Sequence, residues 1–584
     1  VELQVDANNQ VWVHNGSNLF QVNRNDWGHV IQDRGPWKVS AAETINGTNY
    51  IVDASTNQLY VWEMDSNWNF IRDSNTANPG TAAYNTIESD FNIDFNADGM
   101  IGQPNSLSNP ILEPHYIKQW HLKSSSSGGA NVAAAWALKN NSGNNTYGSG
   151  VVIGIVDDGL DHSHPDLSEN YVSSSSYDWV GGDADPTPSG NNAHGTASAG
   201  VAAGYGHNGI GITGAAPNAS LSGLRLLGNG TDDANEAAAL TFTLDAIDIY
   251  SNSWGPNDNG KVQPAGPQLL QALADGTNYG RGGLGAIYSW AGGNGRGSKD
   301  NSNYDGWANS RYVNAIAAIA DNGRYSSYSE PGANILVAAP SNGGSEAITT
   351  TDIEGNAGYS SGDYTSNFGG TSSACPLFSG VVALMLEANP NLSWRDVQHV
   401  IVESADSTID SSNAGWITNG AGHAFNHDYG FGRLDAEAAV IAAKNWSNVA
   451  SEVSYSVSAS PDTAIPDDTT TLTSTIRVDQ DITLETIEIP FISDHTWRGD
   501  LTIELTSPAG TTATLAVGDS VSGRGDSGGY NFTFSAKTFW GESSAGDWTI
   551  AISDQYPTVD SGDLNSWGIN FYGTPGSNYQ SNRP

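Results

Sequence analysis

Cysteine is almost absent: Cys375 is the single one in 584 residues, which excludes an intrachain disulfide framework. Core size must stabilise the chain instead, with bound metal as the other source open to it. Basic residues are also scarce. Twenty-two Lys and Arg face 63 Asp and Glu, a formal net charge of -41, which argues against nucleic acid or an anionic membrane as partner and for cations and cationic partners. No run of about 18 apolar residues occurs, so no membrane-spanning helix is expected. The first residues, VELQVDANNQ, have neither a basic n-region nor an apolar h-region, so no export signal is expected within this sequence.

A chain of 584 residues is too long for one hydrophobic core, and three or four units are expected. Residues 1–104 form the first. They are rich in Trp, Tyr, Asn and Asp, and VDANNQVWV from Val5 recurs loosely as VDASTNQLYVW from Val52. Both copies alternate apolar and polar residues between Asn, Gly and Ser turns, predicting a repeated β meander for packing or adhesion. The segment closes on ESDFNIDFNADGMIG, where Asp94, Asn96 and Asp98 alternate ahead of Gly99. That spacing suits half of a calcium loop; an Asx-rich linker explains it equally.

Residues 105–449 alternate buried-strand runs, such as VVIGIV from Val151 and AIAAIA from Ala315, with helical stretches. An α/β domain with a mainly parallel sheet follows. Ser393 and Asp396 predict a capping box for one of its last helices. From 450 to 575 the texture changes to short Thr, Ile and Val-rich strands between Gly, Asp and Ser turns, a β-sandwich pattern. Residues 576–584 are a polar tail.

Three motifs of the middle domain carry chemistry. The strand VVIGIV runs into Asp157 and Asp158, at the carboxyl end where open α/β sheets keep their sites. NNAHGTASAGVAA puts His194 at the start of a small-residue helix. GGTSSACPLFSGVV puts Ser372 after a Gly-Gly-Thr turn at a helix N-terminus, with Pro376 expected in the first turn. Taken singly, each has a structural explanation as a cap or core residue. GDSGG at Ser527 and GYSSG at Ser360 look like other serine nucleophile motifs, but neither has the surrounding fold those motifs need.

The order Asp157, His194, Ser372 within these extended motifs, together with SNSWGP at Ser251 and GNG at Gly293, resembles the subtilisin family, specifically its kexin/furin-type convertase branch. The resemblance implies a serine endopeptidase. Asp157 would orient the imidazole, His194 would serve as base and acid, Ser372 would form the acyl-enzyme, and Asn294 would stabilise the oxyanion.

The same resemblance implies a preference for substrates with a basic P1 residue, read by Asp258 in SWGPNDNG and Asp305 in NYDGWANS. Asp158 matches an S2 acid and Glu236 an S4 acid, whereas Asn191 and QPAG at Gln263 stand where convertases carry further acids. A strict dibasic requirement is therefore not expected. Calcium is the implied cofactor. One implied site joins Asp258, Asp300 and Glu330. A second joins Glu113, Asp166 and Asn208 with the carbonyls of Tyr205, Ile210 and Ile212. Asp178, Asp183 and Asp185 make a third, or an Asp-rich surface turn.

In the last unit HTWRGDLTIELTSPAGT, FWGE and GDLNSWGINFYG resemble the P-domain that follows convertase catalytic domains. The resemblance implies a jelly-roll sandwich with Trp497, Trp548 and Trp567 in packing roles. The expected whole is a subtilisin-like α/β catalytic domain with a C-terminal P-domain and an N-terminal Trp-rich β module, secreted from a bacterium and monomeric. Two other readings stay open: a broad-specificity subtilase with purely structural calcium, and a calcium-dependent surface-binding protein on a protease scaffold.

Overall fold

A computed structural model describes most of residues 2–77, residue 87, and residues 110–579 except 229–230, 469, 520–524 and 557–559. The chain forms two compact units, Val1–Leu112 with His207–Gly209, and Glu113–Gly206 with Ile210–Pro584.

Among its described residues the first unit pairs its strands antiparallel. A three-stranded sheet joins Glu2–Val5, Val11–Asn15 and Asn18–Gln21, and a four-stranded sheet joins Lys38–Ile45, Thr48–Ser55, Gln58–Met64 and Phe70–Ala77. Val11, Val13, Ile51, Trp62, Met64 and Trp68 build its core, so the alternation in the sequence places the apolar residues inward.

In the second unit seven strands form a parallel sheet in the order Tyr177–Asp178, Ser220–Arg225, Val152–Asp157, Ile249–Asn252, Ile287–Ala291, Val313–Ile319, Ile335–Pro340. Val313–Ile319 and Ile335–Pro340 are buried at every position, as strands covered on both faces must be. The chain lays strands first to one side of Val152–Asp157 and then crosses to the other. The crevice at this switch lies outside the strand carboxyl ends, where Asp157 and Ser253 stand. Helices His194–Ala203 and Thr371–Ala388 pack together beside it.

Thr371–Ala388 is apolar and long enough to cross a membrane, but 89% of it is buried, so it is a core helix of this domain. Pro376 is its sixth residue, not part of the first turn as the sequence suggested. The helix continues because the carbonyl that loses its donor, that of Ser372, accepts the Ser253 hydroxyl at 3.0 Å instead. Ser393 caps the helix Trp394–Ser404, with Asp396 returning the bond, as its sequence predicts.

The β-sandwich packs Val453–Ala459, Asp563–Pro575, Ile482–Ser493 and Tyr530–Ala536 against Thr471–Val478, Gly546–Asp554, Leu501–Thr506 and Thr512–Ala516. Trp548 and Trp567 are buried between the sheets, whereas Trp497 is 38% exposed and is not a core residue. Val262, Tyr304 and Ala333 of the α/β domain enter the sandwich core. Arg395 grips Glu485 through two nitrogens, one at 2.7 Å, with His399 at 2.9 Å. Both architectures therefore belong to the second compact unit.

Candidate active site

Asp157 ends its strand 1% exposed. Its two oxygens accept the His194 Nδ1 proton at 2.9 and 3.0 Å, and Oδ1 also accepts the Asp158 N-H at 2.8 Å. The imidazole is thereby held as the tautomer with Nε2 bare. His194 opens its helix, and the next residue must be glycine: a Cβ on Gly195 would stand 2.1 Å from the Gly159 carbonyl oxygen and 2.8 Å from Asp157 Cβ. That close approach is what lets helix and strand end meet. Burial opposes charge on His194, but the Asp157 carboxylate, its hydrogen bond and Asp158 outweigh it and raise the pKa above 6.5. Phe368 stands edge-on to the ring, centroids 5.5 Å apart.

Ser372 is the second residue of its helix, behind Gly370 at φ 74°, a conformation open chiefly to glycine. Its hydroxyl donates to the Ser253 carbonyl at 3.3 Å, so engaging His194 requires it to leave that acceptor. Asn294 Oδ1 accepts from Thr371 N and Oγ1 at 2.9 and 3.1 Å, which turns the Asn294 amide N-H groups the other way. Asn294 Oδ1, Ser372 N and Ser372 Oγ all lie 3.3–3.7 Å from where a Cβ on Gly370 would sit. The Ser372 hydroxyl, its own backbone N-H and the Asn294 amide oxygen thus border one small space.

Beside Ser372 opens a cleft of about 430 Å³ with its mouth included, lined by Trp254, Asp258, Trp290, Asn294, Asp305 and Trp307 among others. Asp305 is 6% exposed and its Oδ1 has no hydrogen-bond partner. Burial, then the Asp300 and Asp258 charges, hold its pKa well above the ordinary carboxylate range. A buried acid so placed is stabilised by any cation that enters. Glu236 accepts Trp307 Nε1 at 3.1 Å, which sets it next to the same cleft.

Asp258, Asp300 and Glu330 converge on Gly295, where a Cβ would come within 2.7 Å of Asp300 Cβ, 2.9 Å of Asp258 Cβ and 2.9 Å of Glu330 Oε1. Glu330 Oε2 is buried without a partner. Burial and mutual repulsion raise the pKa values of Asp300 and Glu330. Among the described residues no three acidic, histidine or cysteine side chains form a ready-made metal cage. The donor set nevertheless fits a hard, oxygen-seeking cation: buried Asp300 and Glu330 stand beside exposed Asp258 with no basic side chain among the groups acting on them.

The other expected acids divide. Glu113 and Asp166 are buried, Asp166 Oδ2 accepts Ile212 N at 2.8 Å, and the Asp166 carbonyl accepts Tyr205 N at 2.7 Å. Both acids act on the Tyr364 phenol and, with burial, raise its pKa. Ile210 belongs to the same unit, whereas Asn208 is grouped with the first unit. Asp178 is neutralised by Arg225 at 2.8 Å and accepts Val180 N and Gly181 N. Asp183 accepts Asp185 N, and Asp185 holds Thr187 and His162. These contacts suit the surface-turn alternative that the sequence left open beside a calcium site. Asp94, Asn96 and Asp98 lie outside the described residues.

Asp158 was expected in a substrate subsite, yet its carboxylate accepts the N-H groups of Gly195 and His194 at 2.8 and 3.3 Å. Ser253 was not singled out by the sequence reading. Proline four residues beyond the nucleophile was the available signal, because it leaves the Ser372 carbonyl needing an outside donor. Ser360 bonds Asp352 and Thr365, and no imidazole contact is described for it.

Comparison with known proteins gives the chain's family. Residues 148–432 match the subtilase family, 484–571 the proprotein convertase P-domain, and 1–102 the tryptophan-rich Synechocystis species C-terminal domain. Furin of Homo sapiens is 36% identical over 478 residues, covering 79% of this chain and 58% of furin. Kexin of Saccharomyces cerevisiae is 36% identical over 484 residues, 79% and 56%. Proprotein convertase subtilisin/kexin type 6 of Homo sapiens is 37% identical over 487 residues, 79% and 49%. The chain thus spans about half the length of these relatives. The crystal structure of the serine protease of Aeromonas sobria superposes with a TM-score of 0.71 at 26% identity, covering 80% of this chain and 96% of that one.

Proposed function

Since the chain belongs to the subtilase family and carries a proprotein convertase P-domain, we propose that it is a serine endopeptidase that cleaves after a basic residue and uses calcium to order its specificity pocket. The observation that carries this reading is the place of the unpartnered acid Asp305 in the cleft that also exposes Ser372 and Asn294.

In this mechanism Asp157 fixes the His194 tautomer and supports the imidazolium. His194 Nε2 takes the Ser372 proton as Oγ attacks the peptide carbonyl, then returns it to the leaving amine. The Asn294 amide and the Ser372 N-H receive the developing oxyanion. A P1 Arg or Lys head group lies against Asp305 and Asp258; at about 4 Å and an effective dielectric near 20, each such attraction is on the order of 4 kcal/mol before desolvation. Calcium, when bound, supplies positive charge that lets neighbouring acids stay ionised; Asp258, Asp300 and Glu330 would hold it, and Glu113 and Asp166 are candidates for a second ion. Substrates are proteins or peptides with basic residues, and the enzyme acts as an exported monomer. Its one thiol, Cys375, is buried and pushed up to about 11, suiting an inert core position.

The test is a peptide series with Arg, Lys or Leu at P1, with calcium and with chelator, and Ser372→Ala as blank. Arg and Lys cleavage that needs calcium and Ser372 supports the proposal. Equal cleavage after Leu favours a broad-specificity subtilase.

A further inference from the structure

A row of polar contacts joins the strand Ile249–Asn252, with Ser253 just past its end, to the helix Thr371–Ala388. Ser379 Oγ donates to Ser251 Oγ at 2.9 Å, Cys375 Sγ to the Asn252 carbonyl at 3.4 Å, and Ser253 Oγ to the Ser372 carbonyl at 3.0 Å. Ser251, Ser253, Cys375 and Ser379 are all buried. Consecutive residues of the strand thus meet the helix about one turn apart, and the last contact falls on Ser372 itself.

That last contact differs from the other two. A helical carbonyl ordinarily accepts the N-H four residues on. For Ser372 that residue is Pro376, which has no N-H. A main-chain carbonyl packed against a strand end needs a donor from elsewhere, and the Ser253 hydroxyl supplies it. The pair is also reciprocal, because Ser372 Oγ donates to the Ser253 carbonyl at 3.3 Å. Ser253 therefore holds Ser372 at two points, its carbonyl and its hydroxyl. Two bonds between one pair of residues fix rotation as well as distance. A main chain fixed at Ser372 sets the directions of both its N-H and its Cβ.

We propose that the Ser253 side chain is a positioning residue for the nucleophile: its hydroxyl replaces the amide that Pro376 lacks, and so locks the first turn of the Ser372 helix onto the strand end in the orientation that attack needs. The proposal rests on the peptidase reading above.

A double-mutant cycle on the full chain tests it. Ser253→Ala, Pro376→Ala and the double variant are compared with the native chain by steady-state kinetics on an Arg-P1 peptide and by thermal unfolding. Ser253→Ala should lower kcat about 10- to 100-fold with KM little changed. In the double variant position 376 regains an N-H for the Ser372 carbonyl, so kcat should return to that of Pro376→Ala alone, and the unfolding temperature with it. An equal loss of kcat from Ser253→Ala with and without Pro376 overturns the proposal. So does a loss confined to KM, or a lowered unfolding temperature with native kcat, which is what a merely structural bond would give. A native chain that cleaves neither Arg-P1 nor Leu-P1 peptides contradicts the peptidase reading and with it the positioning role, even where the unfolding cycle confirms the bond.

Discussion

At the scale of single residues, function rests on how few atoms separate a general structural contact from a chemical one. Asn294 anchors Thr371 through its oxygen, which leaves its amide N-H groups out of that contact, as the proposed oxyanion role requires. Asn294→Ala should lower kcat about 100- to 1,000-fold with little change in KM, measured on an Arg-P1 peptide. His194 has a raised pKa, so it becomes protonated, and useless as a base, at a pH above its ordinary 6.5. The acidic limb of kcat/KM should accordingly lie above pH 6.5, and a pH profile on the native chain checks it. Asp305→Ala should erase the preference for Arg over Leu at P1 while Leu cleavage persists.

That Asp157 ends a buried strand was readable from the apolar run VVIGIV, and that His194 and Ser372 stand at the starts of helices from the small and glycine residues around them. The partners of Asp158 and Asp178 were not. The Asp178 bond to Arg225 spans 47 residues, and no local pattern announces such a pair. Nor does the spacing of Asp178, Asp183 and Asp185 distinguish ligands from turn formers, since both present oxygens at alternate positions.

Among the elements, the helix Trp394–Ser404 ties the α/β domain to the sandwich through Arg395, His399 and Glu485. Burial opposes ionisation of Glu485, yet His399 and Arg395 bring it down to about 2. A depressed carboxylate stabilises fully above its unfolded value near 4.5, and the contribution is lost as pH falls from there toward 2. Thermal unfolding followed from about pH 5 down to about pH 2, which spans that window, should show a steeper loss for the native chain than for Glu485→Gln. Glu485→Ala, which strands Arg395, should cost about 3–5 kcal/mol. Strand and helix types were legible from their periods. The position of Pro376 was misread because proline is ordinarily a first-turn residue, and only the tertiary contact from Ser253 lets the helix run on past it.

Taken as a whole, the molecule carries a formal net charge of -41 and its cleft holds a buried acid, Asp305, with one oxygen unpartnered, a combination that favours cations over any polyanion. The subtilase fold and the P-domain were both legible, because long motifs specify them. That the two share one compact body was not, since the residues that join them, Val262, Tyr304, Ala333 and Glu485, look like ordinary core and surface positions in sequence. One cooperative transition for residues 113–579 is expected in calorimetry, lowered by chelator.

We propose that Ser372 is the nucleophile of a cleft that takes a substrate's basic P1 side chain. The direct measurement is intact-mass and peptide mapping after incubation with an arginine-mimicking phosphonate ester, which phosphonylates only an activated serine. One adduct per chain on the peptide carrying Ser372, absent in His194→Ala and slower in Asp305→Ala, is the predicted result. No adduct, or an adduct at Ser360 or Ser527, would contradict the account.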